Sequence, residues 1–240
     1  MFEFFKEKKL NYAGIRSFLD EDEFELYGLL KDELSKRKIA SDARNKSRDD
    51  KNRSKNKSSN EGIRLALFYP GSEYDVANPI MILNSLIDFK KKNQVIMTYV
   101  DLKDMYHFIP ANIKICVTNV NPKIRNRHNY KYTKFKIENT LIEIKYYHED
   151  AFEFIRRIRV KKREKFDIYF ERAFNVIRAT EDDEFPKNVF ETTSDLIFSD
   201  EPLTHEKEYE KQGFERISLS KNISRLGLYE DFSVYSKKRD

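Results

Sequence analysis

One glycine and several acids stand at the ends of apolar runs, and their types suit the binding of a polar, hydroxylated small molecule. The run LALFY (65–69) leads into Pro70, Gly71 and Ser72. QVIMTYVD (94–101) closes on Asp101, IKYYH (144–148) is followed by Glu149, Asp150 and Ala151, and FDIYF (166–170) is followed by Glu171 and Arg172. An ionised carboxylate accepts two hydrogen bonds from adjacent hydroxyls, so Asp101 is equipped to take a diol. A glycine lets backbone amides approach a ligand with no side chain in the way, and a following helix N-terminus adds partial positive charge. Each residue also has a plain structural role open to it: Gly71 as a turn glycine, Asp101 as a strand-end acid, and Asp150 as the N-cap of the next helix.

For these ends to meet, the apolar runs must be neighbouring parallel strands, with helices crossing over between them. In such a sheet the ligand crevice lies beyond the carboxyl ends of the strands, at the switch point of strand order, where the acids fall around the space a nucleoside would fill. The pattern supplies the elements. IRLALFY (63–69) and QVIMTYVD read as strands separated by a helix over NPIMILNSLIDFKK (78–91), with Asn78 as its cap and Pro79 in its first turn. A short helix is expected over 104–109, then a strand over IKICVTN (113–119). A hairpin or one long bent strand follows over 130–148, turning at Glu138-Asn139. Then come a helix over 149–163, a strand over 166–174, a helix over PKNVFETT (186–193) and a strand over DLIFSD (195–200). A helix over 202–212 is stopped by Gly213, and FERISLS (214–220) and DFSVYSK (231–237) pair antiparallel.

The 240 residues allow one substantial core with appendages. Apolar spacings of three and four from Ile15 to Leu34 predict two short N-terminal helices. Residues 41–60 hold seven Lys/Arg against three Asp and almost nothing apolar, as in a linker or basic arm. The expected organisation is a helical segment over 1–40, a basic linker over 41–61 and an α/β domain over 62–240. That domain is expected to be Rossmann-like and doubly wound: a mostly parallel seven-stranded sheet with a C-terminal antiparallel strand pair.

A single cysteine, Cys116, rules out a disulfide within the chain and suits a cytoplasmic, reducing compartment, where it is expected to be a core thiol. No apolar stretch is long enough to span a bilayer, and charges interrupt the first twenty residues as they would not in a secretory signal. The four histidines lack metal-ligand spacing, so no metal is expected.

With these residues in place, the region from about 62 to 240 resembles the class I S-adenosylmethionine-dependent methyltransferases. PGSEYD lies where that family has its glycine-rich turn, keeping only Gly71 of the usual glycines. Tyr69 stands at the usual acidic position, and Glu73 where another glycine is often found. The resemblance implies that Asp101 holds ribose hydroxyls, that Asp150 and Ala151 meet the adenine, and that Tyr69, Pro70, Gly71 and Ser72 line the cofactor. Tyr69 or Tyr147 would lie over adenine or near the sulfonium. FDIYFERAF matches the fourth motif, which makes Glu171 the candidate to touch an acceptor or act as a base. The implied cofactor is S-adenosylmethionine and the implied activity is methyl transfer, with the acceptor open among small molecule, protein, RNA and DNA. The run after the fourth strand lacks the Asn-Pro-Pro-aromatic signature of base methyltransferases.

A second reading comes from charge. Residues 121–165 carry fourteen Lys/Arg against six acids. KIRNRHNYKYTKFK (123–136) interleaves Lys123, Arg125, Arg127 and Lys131 with Tyr130, Tyr132 and Phe135, which suits phosphate neutralisation combined with base stacking. The alternative function is therefore a methyltransferase-like module without activity that binds nucleic acid through this surface. The blander account is a solvated hairpin. The sequence leaves the oligomeric state open.

Overall fold

The computed structural model describes residues 7–36, 61–161, 165–172, 174, 184–200, 203–227 and 231–238. The basic arm expected at 41–60 lies outside the described residues. Among them nine strands form one sheet: β1 (Glu61–Pro70), β2 (Lys92–Asp101), β3 (Arg125–Asn126), β4 (Lys131–Ile137), β5 (Thr140–His148), β6 (Phe166–Phe170), β7 (Thr193–Ser199), β8 (Phe214–Arg216) and β9 (Ser233–Lys237). Their order is β3-β4-β5-β2-β1-β6-β7-β9-β8. The helices are α1 (Tyr12–Arg16), α2 (Glu21–Lys36), α3 (Ala77–Leu86), α4 (Ile109–Cys116), α5 (Ala151–Lys161), α6 (Phe185–Thr192), α7 (Glu206–Lys211) and α8 (Lys221–Ser224). No helix among the described residues is long and apolar enough to cross a membrane.

The architecture is α/β, as expected, but the sheet is nine-stranded and mixed, not seven-stranded and mostly parallel. Parallel pairing joins β6 to β1 and to β7, whereas β3 with β4, β7 with β9, and β8 with β9 run antiparallel. The two extra strands come from the basic segment. Only Glu138 and Asn139 separate β4 from β5, and so short a link between neighbouring strands closes only an antiparallel hairpin. Glu138 takes φ 50° to make that turn. The C-terminal antiparallel pair forms as the sequence suggests, with β9 inserted between β7 and β8.

The chain divides into two compact units. The first comprises Met1–Arg64, Tyr74–Ile96 and Met105–Ile144. Here α2 starts on a reciprocal cap: the Glu23 amide donates to Asp20 Oδ1 at 2.7 Å, and the Asp20 amide to Glu23 Oε2 at 3.3 Å. Its buried residues Leu26, Tyr27, Leu30 and Leu34 form one stripe, and the Tyr27 hydroxyl donates to Asn78 Oδ1 on α3 at 2.6 Å. Asn78 is therefore not the cap of α3. Asp75 accepts from both its amide and its side-chain nitrogen, at 3.2 and 3.1 Å, so the capping carboxylate sits earlier in the chain and frees Asn78 to be buried within the helix.

The strand expected over 113–119 is absent, because Ile113 to Cys116 belong to α4. Pro110 opens that helix, and Ile109, Ile113 and Cys116 are buried at helical spacing while Ile115 faces outward. A short apolar run does not by itself choose between the two periods, and the preceding proline decides it.

The second unit comprises Leu65–Glu73, Met97–Asp104 and Lys145–Asp240. Its core is built from Phe and Tyr. Phe68 stacks on Phe154 and Phe166 at 5.5 and 5.0 Å, and Tyr209 lies flat against Tyr235 at 3.7 Å. Such rings bury large areas and add attraction beyond the area itself. Helices α5 and α6 join through Arg159, which reaches Glu191 at 2.6 Å and Asn188 at 3.0 Å.

Two consequences in the first unit are measurable. A Cβ on Gly14 would stand 2.0 Å from the Ile115 carbonyl oxygen. Gly14→Ala therefore forces α1 off α4, and urea unfolding should show a loss of about 1–3 kcal/mol. Burial, with a smaller contribution from Asp75, pushes the Cys116 thiol up to about 12. At pH 8 almost none of it is thiolate, so the native chain should react with a thiol reagent at least about 100-fold more slowly than the urea-unfolded chain.

Candidate functional site

The strand-end residues singled out by the sequence all fall in the second unit. At the end of β1 the Gly71 amide donates to the Val100 carbonyl at 2.9 Å, and Gly71 turns with φ +58°. Positive φ is the conformation for which glycine carries no steric penalty. Glu73, two residues on, also takes positive φ, 46°. Its strain is held by Asp101, whose Oδ2 accepts the Glu73 amide at 2.8 Å. The other oxygen, Oδ1, accepts the Lys103 amide, also at 2.8 Å, and Lys103 Nζ pairs with the Glu73 carboxylate. One buried carboxylate thus ties the turn after β1 to the turn after β2. Residues of β5 hold the second turn from the other side: the Tyr146 hydroxyl donates to the Lys103 carbonyl, and His148 Nε2 bonds the Leu102 carbonyl at 2.7 Å.

The other expected residues take more local roles. Asp150 caps α5, its Oδ1 accepting the amides of Phe152 at 2.7 Å and Glu153 at 3.1 Å, and Ala151 is buried at the start of that helix. Tyr69 is 2% exposed, its ring set edge-on to Tyr99 at 5.4 Å and tilted on Phe170 at 4.7 Å, so it is a core residue of the sheet. Tyr147 packs on Phe154 at 4.9 Å. Pro70 is buried beside the turn. Glu171 is fully buried: Tyr169 donates its hydroxyl to Oε2 at 2.5 Å, Ser199 donates to Oε1, and the Glu171 amide reaches the Phe198 carbonyl at 3.0 Å. Its carboxylate orders the ends of β6 and β7.

Two further features of the turn concern the space around Gly71 and Ser72. Ser72 is 1% exposed, yet its hydroxyl has no hydrogen-bond partner among the described residues. A buried hydroxyl left this way costs roughly 1–3 kcal/mol relative to a paired one. Facing Gly71 is Phe174, whose ring lies so close that a Cβ on the glycine would stand 2.6 Å from Cδ2. The close approach that Gly71 permits is thus made by an aromatic ring of the same chain, which also packs on Phe152 and Phe185 at 5.7 and 5.5 Å. Sequence reasoning missed Phe174, Lys103 and the β5 side chains Tyr146 and His148. Only the position of Phe174, just beyond the end of β6, hinted at its role.

The proposed nucleic-acid residues lie in the first unit, on β3, β4 and the residues flanking them. Lys123, Arg125 and Arg127 are exposed, and Tyr130, Lys131 and Tyr132 are half-buried, whereas Phe135 turns into the core.

The bonding of Asp101 predicts its mutational signature. Asp101→Ala removes acceptors from two amides of one tight turn pair, and chemical denaturation should show a loss of about 2–4 kcal/mol. Asp101→Asn, which keeps one acceptor oxygen, should lose markedly less.

No family model and no curated protein matches this chain.

Proposed function

We propose that the second unit binds S-adenosylmethionine at the β1–β2 turn pair and that the protein is a methyltransferase whose acceptor is not assigned. The observation that carries this reading is the turn after β1. A left-handed glycine, a buried serine hydroxyl with no partner among the described residues and a strand-end carboxylate are held together there by short backbone bonds. Strand order supports it. Taken in chain order, β5-β2-β1-β6-β7 repeats the 3-2-1-4-5 arrangement of a doubly wound sheet, with its reversal at β1, where such folds hold their ligands. The antiparallel closing pair β8 and β9 agrees with the resemblance to class I methyltransferases.

The residues suit a nucleoside cofactor at two points. Ser72 offers a hydroxyl with no partner among the described residues, and Asp101, having accepted two amides, retains lone pairs for ribose hydroxyls. The cofactor when bound would supply the methyl group. Phe174 stands against the reading as the chain is arranged, since ligand contact at Gly71 requires its ring to leave. Glu171, buried and already accepting two hydroxyls, is assigned as a positioning residue and not a base. Asp150 serves the α5 N-terminus, and any adenine contact would use its remaining oxygen.

Calorimetric titration of the full chain tests the proposal. Micromolar binding of S-adenosylmethionine and S-adenosylhomocysteine is expected, and absence of heat at millimolar ligand would sink it. Ser72→Ala is the informative variant. Because the hydroxyl has no partner among the described residues, its removal should leave unfolding unchanged or slightly improved while weakening ligand by about 5- to 10-fold.

A further inference from the structure

Between Asn121 and Lys136 the sequence has six Lys/Arg and no acid. The fold puts this stretch at the outermost position of the sheet, with β3 as the edge strand and β4 beside it. The register sets Arg125 across from Tyr132, and Asn126 across from Lys131. Along β4, Thr133, Phe135 and Ile137 are buried, so Tyr132, Lys134 and Lys136 share the opposite face. Tyr132 is the centre of that face: the Arg127 guanidinium lies 5.8 Å and Lys134 Nζ 5.6 Å from its ring centroid. Arg125 hydrogen-bonds its phenol, which holds the hydroxyl below its usual range. The Tyr130 ring lies 6.1 Å from that of Tyr132. Lys134 is neutralised by Glu143 at 2.9 Å, but Lys123, Arg125 and Arg127 have no carboxylate partner among the described residues.

We infer that the β3–β4 edge is a docking surface for single-stranded nucleic acid, with Lys123, Arg125 and Arg127 meeting phosphates and Tyr130 and Tyr132 receiving unstacked bases. The choice of occupant follows from chemistry. Guanidinium groups with no carboxylate among the described residues attract a polyanion, and aromatic rings set among them match the alternation of phosphate and base along a single strand. A duplex keeps its base faces stacked and has nothing to offer the tyrosines. The inference uses none of the residues of the β1–β2 turn pair and stands independently of the methyltransferase reading.

The test is fluorescence anisotropy on the full chain, with labelled oligo-U and oligo-dT of about 12 nucleotides and a duplex of equal length. Single strands should bind at about 50 mM salt and weaken steeply towards about 200 mM. The Arg125→Ala/Arg127→Ala double variant should lose at least about tenfold in affinity and flatten the log–log salt slope by about 1.4. Tyr132→Ala should lose about tenfold with the slope unchanged. Lys207→Ala/Lys221→Ala, which removes two exposed charges elsewhere, should behave as the parent chain. Preference for oligo-U or for oligo-dT supports the surface equally and tells which sugar it favours. No binding at low salt, equal loss in the lysine control, or a duplex bound as tightly as the single strands overturns it.

Discussion

The second unit depends on where the Asp101 carboxylate spends its hydrogen bonds. By accepting the amides of Glu73 and Lys103 it fixes two neighbouring strand ends and holds a non-glycine residue at positive φ. Such a backbone persists only when its surroundings over-determine it, and strain of this kind gathers where ligands are held. The Glu73–Lys103 pair is half-exposed and adds little energy, but it closes the same loop from outside. The turn after β1 is thus pinned by hydrogen bonds from within the chain. Each oxygen of Asp101 accepts one of these amides and keeps a further lone pair.

That arrangement sorts the candidate residues by what they hold. Tyr69 packs within the sheet, Ala151 opens α5 and Glu171 bonds the ends of β6 and β7, whereas Gly71, Ser72 and Asp101, also largely buried, form the turn pair itself. Phe174 belongs to both groups, as a member of the aromatic core whose ring lies on the glycine. Its packing against Phe152 and Phe185 couples the space in front of Gly71 to the helices α5 and α6, on which those two residues sit.

Much of this was legible in the sequence where local signals agreed. Strands β1, β2, β6 and β7 followed from their apolar runs, α7 stopped at Gly213 with φ +75°, and the closing antiparallel pair formed as expected. The misreadings share a cause. At Ile113–Cys116 the apolar run was compatible with either period, and Pro110 outweighed its β-branched residues. At Asn78 the sequence offered a good cap one turn too late, and Asp75 took that role because Tyr27 claimed the asparagine. The hairpin of β4 and β5 turns at Glu138-Asn139, one of the two forms the sequence offered, but the edge strand β3 went unread because charge pattern says nothing about pairing. Within the site, type and spacing picked out Gly71 and Asp101. They did not reveal that Asp101 bonds backbone or that Phe174 covers Gly71, since both depend on contacts distant in sequence.

The central claim is that the β1–β2 turn pair is a nucleoside site. Backbone amide spectra of the isotopically labelled chain, recorded during titration with S-adenosylmethionine, report on it residue by residue. The account predicts saturable shifts at Gly71, Ser72, Glu73 and Lys103, together with movement of the Phe174 resonances. Shifts confined to other segments, or none at millimolar ligand, would contradict it.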